Sequence, residues 1–155
     1  MLSRSDPGGD SLDQTDTDEA MKATLTPGVE RAEEITVDEN RIIEFLGENM
    51  RVYSTPSMVN DVEYACYRLI QSHLDDGESS VGVHVSMDHL GATPLGEKVS
   101  VRVSVDAVEG RKVFLHCEVH DALECVGRGR HVRFVIDIAK HAKRLAEKYA
   151  SLGHH

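Results

Sequence analysis

Glu63 is the residue that fits its surroundings least. It lies between Val59 and Cys66 at spacings of four and three, so a carboxylate falls at the margin of an apolar helical stripe. A partly exposed helix-edge side chain and a catalytic general base both suit that position. Thr55, eight positions earlier, can cap the start of the same helix. That helix start also offers free amide N–H groups and the positive dipole end, which favour a developing oxyanion. His89 ends a run of alternating apolar residues and can be structural or can carry protons. A carboxylate, an imidazole and an amide-rich helix start are the candidate groups, able in type to move protons and hold an oxyanion, and spacing alone leaves their structural readings open beside the catalytic ones.

Other chemistries find less support. His84, His116, His120 and His131 also fall on strand-like segments, and His116 and His120 share a face, but no thiol or carboxylate spacing of metal-site type accompanies them. No metal and no cofactor are expected. Met58 and Met87 fill the core. Cys66, Cys117 and Cys125 are an odd number without a C-x-x-C pair, which predicts reduced thiols and a cytoplasmic setting. Phosphate-binding and dinucleotide glycine motifs are absent, as is a nucleophile elbow. The net charge of −10 repels phosphate backbones and disfavours nucleic acid. No apolar run is long enough for a membrane span or resembles a signal peptide.

The elements that position these residues follow from periodicity. Residues 1–27 form an acidic leader, expected to be disordered: Asp6, Asp10, Asp13, Asp16, Asp18 and Glu19 face Arg4 alone among the first twenty. Met21 is an alternative start, and His154-His155 resembles the remnant of a tag. Glu33, Ile35 and Val37 predict a first strand; Asp38 to Leu46 predict one or two helical turns stopped by Gly47, a natural lid or connector. A broad stripe of Met58, Val59, Val62, Ala65, Cys66, Leu69, Ile70 and His73 predicts a buried helix from Thr55-Pro56 to Asp75-Asp76-Gly77.

Four strands come next. Their expected apolar faces are Val81, Val83, Val85 and Met87; Val99, Val101, Val103 and Val105; Val113, Leu115, Cys117 and Val119; and Val132, Phe134, Ile136 and Ile138. Short connections make sequential neighbours antiparallel. An amphipathic helix over Ala139 to Ala150 ends the pattern. An antiparallel sheet with one apolar face and one long hydrophobic helix is satisfied by wrapping the sheet around the helix, the α+β hotdog fold, here over residues 28–151. An exposed edge strand and helix flank predict a homodimer or higher homo-oligomer.

Several segments carry a more specific likeness. Thr55-Pro56-Ser57-Met58-Val59-Asn60-Asp61-Val62-Glu63-Tyr64-Ala65-Cys66 resembles the threonine, eight residues, glutamate pattern of the fluoroacetyl-CoA thioesterase family. Gly82 to Gly96, with His89 and Ala92-Thr93-Pro94-Leu95-Gly96, resembles its glycine, strand, histidine, A-T-P-x-G motif. Val108-Glu109-Gly110-Arg111 and Gly127-Arg128-Gly129-Arg130-His131-Val132-Arg133 resemble its hairpin turn and G-x-G-x-H-x-R run.

The resemblance spans about Val52 to Asp137. It implies a catalytic trio of Thr55, Glu63 and His89, with Gly82 and Arg133 near the substrate, and hydrolysis of an acyl-CoA thioester. Glu63 would activate water or attack the carbonyl itself. The stretch before Thr55, with Phe45 and Tyr53, does not align with the fluoroacetyl specialist's lid, so the expected substrate is a small or medium acyl-CoA. A hotdog hydratase and a non-catalytic acyl-CoA binding module are the alternatives. Thr55 and Glu63 lie about 12 Å apart along one helix, so the expectation is a site shared between two subunits.

Overall fold

Met58, Val62, Ala65, Cys66, Leu69 and Ile70 repeat along one side of a helix and are all buried against a curved sheet. The computed structural model describes residues 21–153. Its elements are β1 (Glu30–Thr36), β2 (Ile42–Ile43), a 3-10 turn (Glu48–Met50), β3 (Val52–Tyr53), α1 (Thr55–Gln71), β4 (Glu78–His89), β5 (Lys98–Glu109), β6 (Lys112–His120), β7 (Cys125–Asp137) and α2 (Ile138–Ser151). The large sheet is antiparallel in the order β1-β5-β6-β7-β4, while β2 and β3 form a separate two-stranded piece. With α1 against its concave side, this is the hotdog arrangement.

The centre of the sheet behaves as alternation demands. Val99, Val101, Val103 and Val105 of β5 and Val113, Leu115, Cys117 and Val119 of β6 are all buried. Each such side chain contributes roughly 1.5–3 kcal/mol through burial. Cys66 of α1 and Cys117 of β6 sit side by side in this core. Contact between the two thiols and burial both push the Cys66 pKa up.

The outer strands depart from the expected faces. On β7 the apolar phase Val132, Phe134 and Ile136 is not the buried one; His131, Arg133 and Val135 point inward instead. Ile138, expected on the same face, begins α2 and is half-exposed. On β4 a bulge between Gly82 and His84 resets the register, leaving Val83 and Val85 exposed while Glu78 and Ser80 are buried. Periodicity fixes which residues share a face, but it does not say which face meets the helix.

Three boundaries also differ. Asp38 to Leu46 forms no helix; the chain instead makes β2 and then the 3-10 turn, because Arg41 is anchored elsewhere. The long helix ends at Gln71, capped by Ser72, ahead of the expected Asp75-Asp76-Gly77 stop. Met21 and Leu25, placed in the leader by sequence, are buried, and the Lys22 N–H donates to the His73 carbonyl at 3.1 Å. Two apolar residues four apart suffice to cover the end of α1, so among the described residues the packed region includes Met21 and Leu25. Residues 1–20 of the expected leader and His154-His155 lie outside the described residues. The final amphipathic helix forms as α2, capped by Asp137, but buries none of its residues.

One polar cluster fixes the start of α1. Asp61 is 4% exposed and takes two hydrogen bonds from the Arg41 guanidinium, at 2.9 and 3.0 Å, and one from the Tyr53 hydroxyl at 2.6 Å. Burial and the Asp61 carboxylate drive the Tyr53 hydroxyl pKa upward, so it remains a donor. The segment from Arg41 to Ser54 is thereby tied to the first turns of α1. Asp61→Ala leaves Arg41 and the buried Tyr53 hydroxyl without their acceptor, and should destabilise the fold by about 2–3 kcal/mol in urea unfolding.

Candidate active site

Ser54, not Thr55, caps α1: its hydroxyl oxygen accepts from the Ser57 N–H at 3.1 Å. That leaves the Thr55 hydroxyl free for another partner, and it lies 2.7 Å from His89 Nδ1. His89 comes from the end of β4, so helix start and strand end meet at this pair. Burial lowers the His89 pKa, opposed in part by the Gly91 backbone, which holds the ring neutral near pH 7. Its Nε2 is buried without a hydrogen-bond partner among the described residues, while Tyr53 packs edge-on at 6.3 Å between ring centres. A neutral imidazole keeps one nitrogen as donor and one as acceptor, so the ring that lines the hollow can take part in proton transfer once Nε2 is uncovered. The pair lines a hollow of about 470 Å³ together with Tyr53 and Phe45.

Glu63 lines a different hollow, of about 320 Å³, with Asn60, Tyr64, Tyr67, Ser80 and Arg133. Its side chain is 42% exposed and its Oε2 lies 3.7 Å from Arg133 Nη1. Arg133 is almost wholly buried, and each of its nitrogens is accounted for. Nε donates to Ser80 Oγ at 2.8 Å, Nη2 to the Ser80 carbonyl at 2.8 Å, and Nη1 to His131 Nε2 at 3.1 Å. Its guanidinium also lies over the Tyr67 ring, 5.7 Å from the centroid. Burial lowers the Arg133 pKa and Glu63 raises it, which leaves a fixed cation beside the carboxylate.

Gly82 makes that approach possible. A Cβ built at Gly82 would stand 2.6 Å from Glu63 Oε2, 3.2 Å from His131 Cε1 and 3.3 Å from Arg133 Nη1. The missing side chain is therefore the space into which the carboxylate reaches. Gly127 has the same relation to Met58, whose sulfur would lie 2.5 Å from a Cβ there. Met58 is fully buried and Met87 packs against the core, as their core-filling assignment requires.

His131, named in the sequence analysis as a strand histidine and in the G-x-G-x-H-x-R run, received no role there, since it sits in the phase that alternation assigned to solvent. Because arginine only donates, the Nη1 contact assigns the His131 ring proton to Nδ1 and makes the ring a neutral acceptor. Burial, then the Arg133 charge, lower its pKa. The sequence signal for it is the His131-x-Arg133 spacing, which places both residues in one phase of β7, with Arg133 opposite Gly82 and His131 opposite Val85 on β4.

Thr55 and His89 are thus brought together, and so are Glu63, Gly82 and Arg133, but the two groups line separate hollows of one chain. His116 pairs with Asp106 and His84 is exposed; neither belongs to either hollow. No described helix is long and apolar enough to cross a membrane.

Known proteins share this fold and sequence. A crystal structure of a point mutant of the fluoroacetyl-CoA-specific thioesterase superposes with a TM-score of 0.74 at 28% identity, covering 82% of this chain and 99% of that one. A thioesterase-superfamily protein of Thermus thermophilus also gives 0.74 at 28% identity, over 83% and 98% of the two chains. A hot-dog-like protein of Thermanaerovibrio acidaminovorans, at 23% identity and TM-score 0.74 over 89% and 98%, shares the fold. The molecule is a hotdog-fold thioester hydrolase.

The fluoroacetyl-CoA thioesterase of Streptantibioticus cattleyicolor is 35% identical over 97 residues, 63% of this chain and 70% of that protein. The family model for fluoroacetyl-CoA-specific thioesterases matches residues 37–139. The chain belongs to that family, and its activity is that of an acyl-CoA thioesterase.

The two lowered histidines set a pH dependence. The unfolded chain binds protons at His89 and His131 near the ordinary value of 6.5, where the native rings refuse them. Unfolding free energy should therefore fall as pH drops through the ordinary histidine range, from about 7 to 5, and His131→Asn should flatten that slope in urea titrations at each pH.

Proposed function

We propose that the chain hydrolyses small or medium acyl-CoA thioesters in a homodimer whose sites combine Glu63 of one protomer with Thr55 and His89 of the other. The observation that carries this reading is the separation of the two groups into hollows that are each incomplete for thioester hydrolysis. A carboxylate and its fixed cation lack an oxyanion-binding helix start. The Thr55–His89 pair lacks an anionic base.

The open edge of β4 supplies the means of joining them. It is a terminal strand of the sheet, and it exposes Val83 and Val85. Antiparallel pairing of two such edges about a twofold axis near Val85 sets Gly82 of each protomer against His89 of the other. Since Gly82 adjoins Glu63 and His89 adjoins Thr55, one operation completes two equivalent sites.

Glu63 then acts as base for water or as nucleophile on the thioester carbon, with the Arg133 guanidinium fixed 3.7 Å away. The Thr55 hydroxyl and the first amides of α1 hold the carbonyl oxygen, and His89 serves the proton needs of the leaving thiolate. Coenzyme A belongs to the substrate; no resident cofactor is required. A relative in this family has been solved in complex with fluoroacetate and CoA, at 30% identity and TM-score 0.69.

The test is thiol release from a panel of acyl-CoA esters. Glu63→Ala and His89→Ala should each lose about two orders of magnitude or more in turnover, and unchanged turnover in both would reject the site. Co-refolding the two inactive variants in equal amounts distinguishes the shared site. Half the dimers would then be mixed, each with one intact site, so about a quarter of wild-type activity should return; no recovery would place all three residues within one protomer.

Gly82→Ala provides an independent measure. Its methyl group displaces the mobile end of Glu63 and crowds His131 and Arg133 at 3.2 and 3.3 Å, which need to give by only tenths of an ångström, so the thermal midpoint should fall only slightly. Turnover should still drop by at least about tenfold as the carboxylate leaves its position.

A further inference from the structure

Glu118 and His120 lie two apart on β6 and project from the same face of the sheet, and Cys125, at the start of β7, is the cross-strand partner of His120. One ligand atom from each residue, carboxylate oxygen, imidazole nitrogen and Sγ, falls within 4.8 Å of the other two. None of the three lines either hollow of the thioesterase site. Linear spacing hides this group, because the thiol reaches the histidine only across the β6–β7 hairpin.

The hairpin is well braced. Asp121 Oδ1 accepts from the Leu123 and Glu124 amides, both at 2.9 Å, and its Oδ2 accepts from the Thr93 hydroxyl at 3.0 Å. Cys125 is a free thiol, and the His120 and Glu118 side chains are 44% and 40% exposed, so an ion can arrive from solvent. Arg128 already places a positive charge here, with Nη2 3.8 Å from Cys125 Sγ and Nε 3.9 Å from Glu118 Oε2. Its side chain is 60% exposed and free to swing outward.

We propose that Glu118, His120 and Cys125 form a surface site for one thiophilic divalent cation of the zinc type, clasping the end of the β6–β7 hairpin. Sulfur, nitrogen and carboxylate oxygen are the donors zinc prefers, and three protein ligands leave a fourth position for water. Tetrahedral zinc, with bonds of about 2.0–2.3 Å, holds its ligand atoms roughly 3.3–3.8 Å apart. Side-chain rotation supplies that adjustment: Sγ moves in, and the 2.9 Å hydrogen bond between His120 Nε2 and Glu118 Oε1 opens to admit the ion. On binding, the S–H bond of Cys125 breaks, an S–metal bond forms, and the proton passes to solvent.

The experiment uses the metal-free full chain, and the same chain carrying His154→Ala and His155→Ala to remove the terminal pair. Each is titrated with Zn2+ against a chromogenic chelator and with Co2+ in the spectrophotometer. Both should bind one ion per chain at this site, with thiolate-to-cobalt charge transfer in the near ultraviolet. Cys125→Ser should abolish that band, and His120→Ala should weaken binding at least about tenfold. Both variants should keep the thermal midpoint of the metal-free protein and its acyl-CoA turnover, which separates loss of the site from loss of the fold. Absence of binding in the chain without the terminal pair, or binding that Cys125→Ser and His120→Ala leave unchanged, would overturn the proposal.

Discussion

A guanidinium facing the concave side of the sheet, where the helix packs, is the constraint around which the rest is arranged. An unpaired charge in that position would cost several kcal/mol, so every nitrogen of Arg133 must find an acceptor. Ser80 supplies two, the neutral ring of His131 a third, and the Glu63 carboxylate offsets the charge itself. Those partners in turn dictate local sequence. Position 82 must be glycine for the carboxylate to reach, the β4 bulge follows immediately, and β7 turns its polar phase inward.

Satisfying the arginine in this way separates the candidate groups. α1 is a rigid rod, and a residue eight positions along it cannot be brought to the first turn without breaking the helix. Thr55 therefore meets His89 at one end, while Glu63 meets Arg133 further along. The Asp61 cluster sits between them in sequence and locks the β2–β3 segment against the helix, so neither end can drift. Family membership accounts for the thioesterase activity; the separation of these groups is what makes a second protomer the natural complement in the proposed site.

Much of this was legible in the residues, and the failures have physical causes. The β5 and β6 valines and the α1 stripe announced their burial because apolar residues occupied every inward position of the two strands and all but that of Asp61 on the helix. The same rule misassigned β7, where Val132, Phe134 and Ile136 outrank His131 and Arg133 in hydrophobicity yet face outward. Polar residues paired with one another can hold an inward face, and the partners that permit this come from another strand and from the helix. Asp38 to Leu46 carried a cap and a stop for a helix, but the pull of Asp61 on Arg41 is a tertiary contact invisible to local propensity. Thr55 looked like a cap because nothing in the sequence distinguished it from Ser54, one residue earlier. Glu63 stands out in the sequence because it breaks a pattern that its neighbours keep, and in the structure it lies beside Arg133.

The side-by-side thiols of Cys66 and Cys117 have a practical consequence. Enclosed between helix and sheet, with proton loss from Cys66 opposed by its neighbour, they offer an electrophile in water neither access nor a thiolate. The native protein therefore behaves toward alkylating reagents as though it owned a single sulfhydryl, at the tip of one hairpin. A fluorophore or spin label attached there reports on the outer surface of the sheet without any engineered removal of cysteine.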